Sequence, residues 1–121
     1  MPSKPLPTPT RGDVFKAVLD PTKGSEQGGV RPVVVVSRDA INASSPVVIV
    51  IPITDLDHKQ RLYPSHVALR QGSGGLTKDS VALAEQIRAI EKSRFTEHWG
   101  KLGPVEMEQV DAAIKKALAL K

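Results

Sequence analysis

The 121-residue chain has no cysteine, few histidines and only four aromatic residues, Phe15, Tyr63, Phe95 and Trp99. Without cysteine there is no disulfide framework, no thiolate zinc site and no cysteine nucleophile. Four aromatics cannot supply both a core and the row of exposed rings on which a single-strand binder stacks successive bases. No stretch reaches the roughly 18 consecutive apolar residues that a membrane span needs. Met1 to Thr10 carries four prolines and lacks the apolar core of a signal peptide. These absences predict a cytoplasmic protein with no membrane partner.

Charge is not concentrated either. Residues 1–60 carry 7 basic and 6 acidic groups, residues 61–121 carry 10 and 7, and the net charge is +4. There is neither a basic arm nor a polyanionic tail. That balance suits a nucleic-acid partner and an ordinary protein surface alike. The length predicts one domain, large enough to bury a core unaided.

What the chain does have is β-branched runs between glycine- and proline-rich breaks. Residues 1–10 read as a disordered leader, because alternate prolines block both helix and ladder, and a folded domain is expected over 11–121. Asp13 to Leu19 has β character, and Asp20 to Val30, with three glycines and a proline, is a break. Pro32 to Ser37 and Val47 to Ile53 are short, almost wholly apolar runs, read as buried strands. Pro52 donates no ladder bond and marks a bulge, an edge or a strand end.

Asn42 to Pro46 reads as a turn, Thr54 to Pro64 as exposed, and His66 to Leu69 as a brief strand. Arg70 to Lys78 reads as a hairpin loop, and Ser80 to Ala84 as a strand that Gln86 to Ile90 continues. Lys92 to Trp99 is expected as a short helix capped by Ser93, with His98 packed on it. A final helix opens at Pro104 and aligns Met107, Val110, Ile114, Ala117 and Leu118 on one face. The fold class is therefore mainly β with appended α-helices, a small β-barrel.

Several motifs are decoys. Arg11-Gly12-Asp13 matches an integrin-binding tripeptide and Asn42-Ala43-Ser44 a glycosylation acceptor, but neither fits a chain with no secretion signal. Neither glycine-rich loop has P-loop spacing, and no nucleophile elbow is present. Asp55, Asp57 and His58 are the only local metal-ligand types, and a solvated loop is the better account. His66 opens a strand, as a structural residue or a substrate contact. In Glu85-Gln86-Ile87-Arg88 a strand either leaves the core, or lines a groove or subunit contact.

Gly24-Ser25-Glu26-Gln27-Gly28-Gly29-Val30-Arg31-Pro32 is the most informative stretch. Glycines permit tight geometry and expose backbone N–H groups that suit an anion. Arg31 stands at the mouth of a rigid strand, and its fork matches a phosphate. This stretch, with Arg11-Gly12-Asp13-Val14-Phe15 before it, resembles the opening of the MazF/PemK family of toxin endoribonucleases. Ser45-Pro46 leading into a strand that ends at Ile53-Thr54 fits the same family. So do Asp79-Ser80-Val81 running on to Glu85-Gln86-Ile87-Arg88-Ala89-Ile90 and Val110-Asp111-Ala112-Ala113 in the closing helix. The resemblance covers about residues 11 to 120.

It implies an SH3-like, plasmid-maintenance-toxin barrel that forms a homodimer. The implied activity is metal-independent, sequence-specific cleavage of single-stranded RNA, with no cofactor. Also implied is inhibition by a cognate antitoxin whose acidic C-terminal tail covers the RNA groove, with DNA reached only through the antitoxin complex. By the same resemblance Arg31 and Thr54 are the catalytic pair, and Glu26 and Gln86 act in catalysis or substrate contact. Lys23, Ser25, Gln27, Gly28, Gly29 and His66 complete the expected RNA-binding set. Glu85 to Arg88 and Lys92 to Trp99 are candidate subunit contacts.

The chemistry suits these residues. RNA cleaved without a metal uses its own 2′-hydroxyl as nucleophile, and needs a base, an acid and a partner for the phosphorane charge. Arg31 fits the charge and, by resemblance, the proton donor. An arginine is not deprotonated in a protein, so Glu26 is the better base. Two alternatives share the fold: a CcdB-type gyrase poison and an inactive antitoxin-binding barrel. The first places its tryptophan at the extreme C-terminus, whereas the only tryptophan here is Trp99. The second requires lost catalytic positions, and Arg31 and Thr54 are both present.

Overall fold

A computed structural model of the chain describes residues 5–58 and 60–121. Its strands are β1 (Asp13–Val18), β2 (Val30–Val35), β3 (Val47–Asp55), β4 (His66–Leu69), β5 (Ser80–Leu83), β6 (Arg88–Glu91) and β7 (Phe95–Lys101). Its helices are α1 (Asp39–Ser44) and α2 (Pro104–Leu118). The sheet runs β4-β5-β3-β2-β1-β7, with β6 also paired to β3, and all pairings are antiparallel. This is the mainly β class with a closing helix that the sequence implies.

The two apolar runs pack on both faces, which is why they show no alternation. Val34, Ile51 and Ile53 face one core, closed by Val110 and Ala113 of α2. Val33, Val35, Val48 and Val50 face a second core with Phe15, Leu19, Ile90 and Phe95. There the Phe15 and Phe95 rings stack with centroids 4.4 Å apart. Each such fully buried side chain contributes roughly 1.5–3 kcal/mol.

β3 organises the site. Its middle pairs with β2 through Val33↔Pro52 and Val34↔Ile51. Its two ends pair with consecutive pieces of one later segment, Val47–Val50 with β6 and Ile53–Asp55 with β5. A 3-10 turn at Ala84–Gln86 separates those pieces, so the expected continuation of β5 is present but broken.

Two expectations are corrected. Lys92–Trp99 is not a helix: Lys92–Arg94 form one 3-10 turn, and Phe95 onward is β7, paired to β1. His98 is therefore on a strand, 3.3 Å from the buried Asp13 carboxylate. Asn42–Pro46 is not simply a turn, since α1 ends within it. Asn42 is fully buried and donates to the Ser37 carbonyl at 2.8 Å, so it is no glycosylation acceptor. Arg11 is engaged by Asp39 and Asp111 and Asp13 is buried, so the tripeptide presents no free carboxylate at the surface. The Arg11 N–H, with the Asn42 amide, holds the Asp39 carboxyl below its ordinary value.

The proline-rich leader falls partly on residues 1–4, outside the described residues. Within the rest of it, Pro9 is buried and Thr10 donates its N–H to Asp13 at 2.7 Å.

Candidate active site

The β2–β3 ladder ends at Val33↔Pro52, and Arg31 and Thr54 each lie two residues beyond that last pair. Arg31 lies two residues before Val33 and Thr54 four after Val50, so both belong to the pleat of the second core. They sit where its apolar filling ends. Together with Val30, Pro32, Ile53 and Asp55 they line a cleft of ≈ 250 Å³. Arg31 Nε donates to the Gly28 carbonyl at 2.7 Å. Its two terminal nitrogens have no protein partner among the described residues, which leaves the fork available to an anion.

The β1–β2 loop forms the adjoining wall. Glu26 accepts the Lys23 N–H at 2.8 Å through Oε1, and its side chain is exposed. Glu26, Lys23 and Ser25 line a larger cleft, ≈ 500 Å³, opposite Glu85, Gln86, Ile87 and Arg88. The sequence expectations therefore divide. Arg31 and Thr54 are brought together, whereas Glu26 and Gln86 face each other across the neighbouring cleft. Glu85, Gln86, Ile87 and Arg88 form one wall of that cleft.

The loop is not a ring of free N–H donors. Gln27 N–H is taken by Gln86 Oε1 at 2.7 Å, and Gly29 N–H by Asp20 Oδ1 at 2.9 Å. Among the described residues, Gly24, Ser25 and Gly28 keep their amides free of protein acceptors. His66 stands apart. Its side chain is only 9% exposed, its Nε2 lies 3.1 Å from Glu85 and its Nδ1 accepts the Tyr63 N–H at 3.2 Å. That second bond assigns the proton to Nε2. His66 also lines a separate, mainly apolar cleft against α2.

Two further charged groups line the clefts without a role assigned from the sequence. Asp55 lines the Arg31 cleft and pairs with Lys78 at 3.3 Å. Arg88 lines the larger cleft and reaches the Leu19 carbonyl at 3.4 Å. The polar cluster at the end of β5 was a signal for Arg88, and nothing in the spacing singled out Asp55. Among the described residues no three histidine or carboxylate side chains converge as a metal-binding set. Nor is any helix among them long and apolar enough to cross a membrane.

An antiparallel sheet with an arginine and a threonine lining one cleft defines a small β-fold with a candidate anion site. Residues 10–118 match the family model described as PemK-like, MazF-like toxin of type II toxin–antitoxin system. The chain belongs to that family. It is 47% identical over 110 residues to a protein of Staphylococcus epidermidis named Endoribonuclease MazF, an alignment covering 91% of each chain. Its fold is similar to the crystal structure of MazF from Deinococcus radiodurans, with TM-score 0.79, 26% identity, and coverage of 93% of this chain and 98% of that one. It is likewise similar to an endoribonuclease from a mycobacterial species solved in complex with its cognate antitoxin, with TM-score 0.77, 25% identity, and coverage of 93% and 97%.

Proposed function

We propose that this chain is the endoribonuclease toxin of a type II toxin–antitoxin system, cutting single-stranded RNA without a metal. The observation that carries the site assignment is that Arg31 and Thr54 line one cleft, with the Arg31 fork unoccupied by protein acceptors. In the reaction the RNA 2′-oxygen forms a bond to the adjacent phosphorus while the bond from phosphorus to the 5′-oxygen breaks. The 2′-proton passes to a base and a proton is delivered to the departing 5′-oxygen. The products are a 2′,3′-cyclic phosphate and a 5′-hydroxyl.

Arg31 supplies charge and two parallel donors to the phosphorane, where a fixed donor is most effective. Being permanently protonated, it cannot take the 2′-proton. Thr54 adds a hydroxyl beside the same oxygens. Glu26 is the proposed base, and its Oε2 has no partner among the described residues. Lys23, Ser25, Gln27, Gly28 and Gly29 make the wall along which RNA is held, and His66 reaches the groove through Glu85. The chain works in the cytoplasm as a homodimer. An antitoxin with an acidic C-terminal tail would occupy the same clefts, where Lys23, Arg31 and Arg88 stand, and DNA is met only through that antitoxin.

The test is cleavage of a mixed RNA in excess chelator, with the ends mapped. The expected outcome is site-specific cuts bearing 2′,3′-cyclic phosphates, lost in Arg31→Ala and Thr54→Ala. No cleavage, or cleavage that requires Mg²⁺, overturns the reading. A Glu26→Gln chain with near-normal single-turnover cleavage would remove Glu26 from the role of base while leaving the rest intact.

A further inference from the structure

We propose that Gln86 is a positioning residue for Arg31: its carboxamide latches the β1–β2 loop to the sheet, and the loop holds the guanidinium. The inference rests on the ribonuclease reading for its kinetic test, but the latch itself is a matter of hydrogen bonds within this chain.

The latch begins with a register change. Along β3, the pairing Val50↔Arg88 and the pairing Ile53↔Ala82 are out of step by three residues. The 3-10 turn Ala84–Gln86 takes up those three. It lifts Gln86 out of the strand and turns its side chain to the loop. There Oε1 accepts the Gln27 N–H at 2.7 Å, and Nε2 donates to the Ser25 carbonyl at 3.1 Å. A backbone N–H only donates and a carbonyl only accepts, so these two partners fix which way the amide faces. The two bonds bracket Glu26.

The other end of the loop is fixed separately. Gly29 N–H donates to Asp20 Oδ1 at 2.9 Å, and Leu19 N–H donates to the Gly29 carbonyl at 2.8 Å. Between the two anchors lies Gly28, whose carbonyl takes Arg31 Nε. The path from Gln86 to Arg31 is thus one side-chain bond, two residues of backbone and one more hydrogen bond. With Nε engaged, the fork has a fixed direction and only its terminal nitrogens remain for substrate. Without Gln86, a loop containing Gly24, Gly28 and Gly29 recovers backbone freedom, and the arginine loses its fixed aim.

A donor that acts on charge developing in the transition state depends on being aimed in advance. Loss of the latch should therefore appear in turnover rather than in binding. Gln86→Ala is expected to lower the single-turnover rate at saturating RNA roughly 10- to 100-fold, with the apparent Kd for RNA changed less than about threefold. In an Arg31→Ala background the same substitution should add little, because residues acting as one unit are not additive. Amide hydrogen exchange in the free protein supplies a readout independent of activity: Gln27 N–H and Arg31 Nε–H should exchange faster in Gln86→Ala, while core amides keep their protection.

A Gln86→Ala chain with a normal saturating rate, a raised Kd or an altered base preference would overturn the proposal and make Gln86 a direct RNA contact. Full additivity with Arg31→Ala, or unchanged exchange at Gln27 and Arg31, would overturn it equally. If the unsubstituted chain cuts no RNA, the ribonuclease reading fails and the exchange result alone decides the latch.

Discussion

Gly28 sits where a methyl group has no room. A Cβ built on it would lie 2.7 Å from Asp20 Oδ1 and closer still to the Thr22 hydroxyl. Asp20 cannot simply swing away, because the same oxygen holds the Gly29 N–H. Gly28→Ala is therefore expected to turn the Thr22 hydroxyl aside and to strain the Asp20–Gly29 bond, loosening the loop that holds the Gly28 carbonyl on Arg31 Nε. The expected result is a single-turnover rate reduced roughly tenfold, with a loss of stability of no more than about 1–3 kcal/mol. Quench-flow cleavage and urea unfolding measure the two, and an unchanged rate would show that Arg31 keeps its aim without this carbonyl. At this scale the sequence was half legible. Arg31 and Thr54 could be named from motif resemblance, and both line one cleft just past the last β2–β3 pair. The bond between Gln86 and Gln27 spans 59 residues, and no local pattern encodes which of two polar groups on a turn will meet a distant loop. Asp55 was visible only as one of three ligand-type residues in a charged segment, because its place beside Arg31 depends on where β3 parts from β2.

Among the elements, the β4–β5 hairpin loop packs closely on β7 through Gly75. Gly75 adopts φ +80°, and a Cβ there would meet the Trp99 carbonyl carbon at 2.8 Å. The obstacle is β7 backbone, which cannot rotate aside as a side chain would. Gly75→Ala therefore combines a left-handed conformation with a steric collision, and should cost roughly 2–4 kcal/mol. A thermal melt that falls by less than about 3 °C would show that the loop can lift off β7. β7 itself is hard to read from sequence. Its ladder with β1 slips at Val14/Phe15 and again at Lys16/Ala17, so buried and exposed residues do not alternate, and Lys92–Trp99 resembles a short helix. Strands β2 and β3 were plain for the opposite reason, since burial on both faces demands an unbroken apolar run. Six-residue α1 offers no 3.6-residue periodicity to detect, and its capping residue Arg38 makes no side-chain cap bond.

For the whole molecule, the distribution of charge sets how RNA is held. The net charge of +4 is spread without a basic block, and only Lys23, Arg31 and Arg88 bring cations into the two clefts. Tyr63 is 55% exposed, while Phe15 and Phe95 are buried in the second core and Trp99 packs against the first. A run of stacked bases therefore has no platform, and phosphate contacts must carry much of the affinity. Each phosphate neutralised on a single strand contributes a slope of roughly −0.7 to log Kobs against log salt. Three cationic contacts predict a slope of about −2. The measurement is fluorescence anisotropy with an RNA carrying a 2′-deoxy group at the attacking position, which binds but cannot be cut. Arg31→Ala should make the slope shallower by about 0.7. An unchanged slope would mean that Arg31 does not meet a phosphate in the bound state. A slope steeper than about −5 would mean that RNA runs over the outer surface, where Lys92, Arg94, Lys115 and Lys116 lie, rather than through the clefts.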